Sequence, residues 1–156
     1  MRKTMITPRR SVKRALALVL AIAAGGIVAA AGSATPAARS GALHVTKECS
    51  EYNFQAGDFC TITSSNISAI KPGMRVVYLG APAGGVLDAD IVLTSGRGPR
   101  AFGHVVLDLT TAQGTVTLSG GTGRFATFQA RVGVTLGSGG AWHWDGGYSF
   151  ASSEDD

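Results

Sequence analysis

Basic residues are scarce once the first fourteen positions are set aside. Six of the fourteen lysines and arginines (Arg2, Lys3, Arg9, Arg10, Lys13 and Arg14) lie there, whereas all ten acidic residues lie beyond them. From Thr35 onward eight basic side chains stand against ten acidic ones, a net of −2, so the formal +4 of the whole chain belongs to its leading segment. The basic patch with which a nucleic-acid binder neutralises phosphates is therefore not expected. Cysteine is scarcer still, with Cys49 and Cys60 alone. Without a second pair or a C-x-x-C spacing, neither a thiolate zinc site nor a redox motif is expected. His44, His143 and Asp145 lack zinc-ligand spacing, so no metal is expected there either. Beyond residue 34 no window carries an apolar stripe of helical period, which argues against a helical domain.

Residues 1–34 have a basic start, an apolar run over 15–31 and then the small residues Gly32, Ser33 and Ala34. That order is the pattern of a secretory signal peptide. Alanine and the Gly25-Gly26 pair leave the run short and mildly apolar for a membrane span. Arg9-Arg10 matches a twin-arginine export signal in part, so both general secretion and twin-arginine export are open. The expected mature protein is extracellular, with no membrane span after processing. In that setting Cys49 and Cys60 are expected to form a disulfide, closing a loop of about a dozen residues.

Residues 35–41 are rich in Pro, Ala, Ser and Gly and are expected to form a flexible tether, leaving 42–156 as the folded domain. Short alternating or β-branched runs follow, at 43–47, 59–64, 74–79, 87–93, 101–109, 115–119, 125–135 and 142–150. About eight strands separated by turn residues predict an all-β sandwich or barrel. Period-two patterning also assigns faces. Leu87, Ala89, Ile91 and Leu93 share an apolar side opposite Asp88 and Asp90, and Val105, Leu107 and Leu109 lie opposite His104 and Asp108. In the run 125–135, Phe128, Ala130, Val132 and Val134 share one side, and Phe125 falls on the other.

The stretch Ser119-Gly120-Gly121-Thr122-Gly123-Arg124-Phe125 suggests a phosphate loop. A dinucleotide fingerprint needs a helix after its glycines, and the alternation after Phe125 is that of a strand. No Walker lysine is present. The glycines are expected to supply positive φ and room for a turn between strands.

That same segment, with Gly120, Gly121, Thr122, Gly123, Phe125, Ala130 and Gly133, resembles the glycine-rich segment of the allene oxide cyclase-like and dirigent-like barrel proteins. Residues 86–90, 102–109 and 142–150 resemble small secreted bacterial members of the group. The resemblance implies an eight-stranded antiparallel, calycin-like barrel, often trimeric, with an apolar lumen. It also implies steering or cyclisation of hydrophobic substrates without metal or organic cofactor.

Two groups of residues carry candidate chemistry. If 94–100 closes a hairpin with Leu93 opposite Ala101, Asp90 falls opposite His104 at about 5 Å. A carboxylate there orients the imidazole and raises its pKa, the arrangement of a proton-transfer pair. Asp88 and Asp108 fall on the same face and are ligand candidates; the competing reading is an ordinary solvated face. Trp142, Trp144, Tyr148 and Phe150 share one side of the last strand and are the ligand contacts if the lumen is open. Otherwise they fill the core or a subunit interface. Three functions follow: binding of a small hydrophobic molecule with a dirigent-like steering role, a cofactor-free cyclase or isomerase using Asp90 and His104, or a closed barrel serving as a structural or cell-surface interaction module.

Overall fold

The computed structural model describes residues 38–152, and the expected signal peptide lies outside them. Eight strands run in chain order: β1 Arg39–Glu48, β2 Phe59–Ser65, β3 Arg75–Tyr78, β4 Val86–Thr94, β5 Arg100–Asp108, β6 Gln113–Gly121, β7 Phe128–Leu136 and β8 Trp142–Phe150. Each pairs antiparallel with its neighbour, and β8 pairs back onto β1, so the sheet closes into an eight-stranded barrel. Closure leaves no open edge to be satisfied by water or another chain.

The period-two pattern sets the wall. In β4 Leu87, Ala89, Ile91 and Leu93 are buried while Asp88 and Asp90 are exposed, and in β7 the same holds for Phe128, Ala130, Val132 and Val134. The inward set forms one continuous apolar core. At one end the lumen is plugged by aromatic rings. Phe128 lies 5.4 Å from Phe125 and 4.8 Å from Phe150 between ring centroids, and all three are buried. Ile70, in the β2–β3 connection at this end, is fully buried as well.

Two expectations change. The tether does not extend to residue 41, because β1 begins at Arg39, which pairs with Phe150; the full length of β8 is available as a template. Phe125 is not a strand residue on a polar face. It closes a 3₁₀ turn, Gly123–Phe125, and is fully buried. Gly123 opens that turn at φ +56, a conformation that favours glycine, and the turn swings the following side chain across the barrel end. The glycine-rich segment thus leads into a three-residue turn and strand β7, and its glycines shape the backbone.

Candidate functional site

The opposite end of the barrel, where β1, β3, β5 and β7 finish, holds a cavity of about 160 Å³. Its apolar walls include Leu87 and Leu107, with Trp142 at the start of β8 and Leu109 just past β5. The β1–β2 connection folds over it. Cys49 and Cys60 form a disulfide that ties the two ends of this connection together. Asp58 holds the turn inside it, accepting hydrogen bonds from the Asn53 and Gln55 amides at 2.7 and 2.9 Å. The connection is stitched to β3 by Gly57 N–H donating to the Tyr78 carbonyl and Tyr78 N–H to the Asp58 carbonyl. Tyr52 stacks at 4.9 Å on Tyr78, and Phe54, half exposed at the rim, lies 5.2 Å from Tyr52.

One charged side chain reaches into this apolar space. Lys47 is 3% exposed and is the buried polar residue of the barrel wall. It occupies an inward position of β1 after Leu43 and Val45, next to a register shift between Thr46 and Lys47. There Thr63 of β2 is left over, and its hydroxyl donates to the Thr46 carbonyl at 3.1 Å. The bulge lets Ile62 and Cys60 turn inward beside Lys47. The ammonium donates to the Tyr78 hydroxyl, which in turn donates to Cys60 Sγ at 3.6 Å. Three rings surround it, with the centroids of Tyr78, Trp144 and Trp142 at 5.2, 5.5 and 5.9 Å from Nζ. Among the described residues Lys47 has no carboxylate partner. Burial therefore pulls its pKa down from 10.5 to about 7. Burial also pushes the Tyr78 phenol up, with a smaller contribution from Tyr52. The hydroxyl of Tyr52 and Nε1 of Trp144 are buried without a hydrogen-bond partner, which in a folded interior is uncommon.

Lys47 was not among the residues singled out from the sequence. Its signal was parity alone, since it continues the inward series Leu43, Val45, but a lysine at a strand end ordinarily reads as solvated.

No family model, curated protein or solved structure matches this chain. Geometry and chemistry therefore carry the functional reading.

The residues expected to be functional are divided among four places. Trp142 lines the mouth cavity, and Trp144 lies one inward step deeper along β8, fully buried. Tyr148 and Phe150 stand at the plugged end, against Phe128, and do not reach the cavity. Asp90 and His104 are Cα partners across β4 and β5, with Nδ1 and Oδ1 2.8 Å apart. Asp88 holds the other ring nitrogen, Nε2, at 2.7 Å. All three side chains project outward from the barrel, with His104 46% exposed. Both ring nitrogens face carboxylates, so the doubly protonated ring is favoured and the pKa is raised, first by Asp90 and then by Asp88. The ring is clamped between the two carboxylates on the outer wall, facing a groove of about 390 Å³ that Leu79 and Phe102 also line. Asp108 stays apart from it. Its carboxylate accepts hydrogen bonds from the Thr110 hydroxyl and from the Thr110 and Thr111 amides at the β5–β6 turn, which hold its pKa low, the hydroxyl most of all. His44 and Asp145 make a second outer pair at 2.6 Å across β1 and β8. Among the described residues no cluster of His, Cys, Asp and Glu has the geometry to hold a metal.

Proposed function

We propose that this is an exported barrel that binds a small hydrophobic molecule in the cavity at the mouth of its lumen. The observation that carries the reading is the apolar space of about 160 Å³ roofed by the disulfide-tied connection. A space of about 150 Å³ accepts a single aromatic ring, so the part of the ligand held inside is of that size. Exposure of Phe54 at the rim leaves a ligand's outer edge accessible, which a dirigent-like steering role requires. Export fits the leading residues and the disulfide, since such bonds persist in oxidising compartments. No helix among the described residues is long and apolar enough to cross a membrane.

The test is occlusion. Leu107→Trp fills the cavity from its wall, and should abolish binding of one-ring compounds such as toluene or indole, read by chemical shifts of the residues around the cavity. Strand content by circular dichroism should not change. Unaltered binding in the filled variant would place the ligand elsewhere, and absence of binding in the parent would leave the barrel as an interaction module.

A second reading, a cofactor-free cyclase or isomerase, has in its favour the Asp90–His104 contact beside the outer groove. It predicts that His104→Ala loses turnover without loss of melting temperature, and retained turnover rejects it. Oligomerisation as a trimer is proposed from the resemblance alone, and light scattering decides it.

A further inference from the structure

The polar groups at the cavity specify more about its occupant than size does. Lys47 offers an ammonium with one hydrogen bond, to Tyr78, and no anionic partner among the described residues. Tyr52 lines the same cavity with a buried hydroxyl that has no partner. Trp144, whose ring is 5.5 Å from Nζ, keeps a buried N–H without an acceptor. The acid that acts on this group, Asp58, influences Tyr52 from within its own turn, where two backbone amides already engage it. The side chains around the amine are thus rich in donors and hold no carboxylate. Donors buried without acceptors are costly, and a buried cation without a counter-ion is more so. Of these groups Lys47 and Tyr52 line the cavity, and a ligand bringing acceptor oxygens and a negative charge to them relieves both costs there.

We infer that the cavity takes a small monocarboxylic acid, with its ring or branched chain between Leu87, Leu107 and Trp142 and its carboxylate on Lys47. This rests on the ligand-binding reading above and names the chemical class of the ligand. The aromatic shell around Nζ supports the ammonium once the anion is in place. A charge-assisted pair in a cavity largely walled by apolar side chains gives stronger discrimination than the same pair at a surface.

The test compares three probes of nearly equal size: benzoate, benzamide and toluene. They are titrated into the parent protein and into Lys47→Met at pH 6 and followed by chemical shifts of the residues around the cavity. Benzoate should bind the parent at least tenfold tighter than benzamide, and the preference should vanish or invert in Lys47→Met. The parent alone already decides the case if the variant folds poorly. Benzamide or toluene binding the parent as tightly as benzoate overturns the carboxylate assignment while leaving the cavity reading intact. Failure of all three to bind overturns both.

Discussion

Replacing Lys47 with methionine should remove most of the rise in stability that the parent protein shows on going from neutral to alkaline pH. The folded-state pKa of Lys47 is about 7, against 10.5 when solvated. Between those values the unfolded chain holds a proton that the folded chain lacks, so stability increases with pH, by roughly 1.4 kcal/mol per unit. Below pH 7 the lysine is protonated in both states, and the full cost of burial is present and constant. From pH 7.5 to pH 9 the gain is therefore roughly 2 kcal/mol, equivalent to a urea midpoint shift on the order of 1 M. Methionine has similar reach and no charge. At pH 7 its variant should be more stable than the parent by roughly 2–4 kcal/mol, after about 1 kcal/mol is deducted for the lost bond to Tyr78. Urea unfolding with the disulfide intact, at pH 6, 7.5 and 9, reads both quantities. His104 acts in the opposite sense. Its raised pKa gives stability that is full below its ordinary value and fades as pH climbs through the folded value. It is common to both proteins and cancels in the difference. Buried Tyr78 would lower stability above the ordinary phenol range, which is why the series stops at 9. If parent and variant give parallel curves from pH 7.5 to 9, Lys47 is solvated in the folded protein, and the account of the cavity fails with it.

Other perturbations test separate parts of the structure. Converting Cys49 and Cys60 together to alanine should cost about 3 kcal/mol through the freed loop, measured by urea unfolding, and should weaken probe binding at the mouth. Phe128→Ala, at the plugged end, should cost roughly 3–5 kcal/mol while leaving probe binding at the mouth unchanged in the fraction that is folded. Gly146→Ala places a methyl 2.2 Å from the Arg131 carbonyl oxygen, and should lose roughly 3 kcal/mol or more, seen as a lowered melting temperature. His104→Ala should change stability at pH 8 by less than about 1 kcal/mol, since the pair is exposed. In the parent, its ring resonances should titrate above the ordinary histidine value, and asparagine at Asp90 should bring that value down.

Strands and faces were readable in this chain because a half-buried wall imposes alternation, and β4, β5 and β7 keep it without interruption. The β4–β5 register was readable for the same reason: a short hairpin leaves few pairings that keep both apolar sides inward, and Asp90 stands opposite His104. Alternation does not say which side of a closed sheet holds the chemistry, and that pair faces out. Phe125 was misplaced because the 3₁₀ turn breaks the count by which faces are assigned. Lys47 escaped because its burial depends on the bulge at Thr63 and on the roof supplied by Tyr52, contacts between segments that no single strand encodes.

The seam between β1 and β8 has a use of its own. Arg39 lies beside Phe150, so the first and last strands of the barrel begin and finish next to each other. A short glycine-rich bridge could splice them, and new ends could be cut in the exposed connection between Thr94 and Arg100, at the barrel end away from the mouth. Such a permuted molecule would fold around the same pocket with its termini moved, giving a handle for attaching the protein to a surface without crowding the entrance.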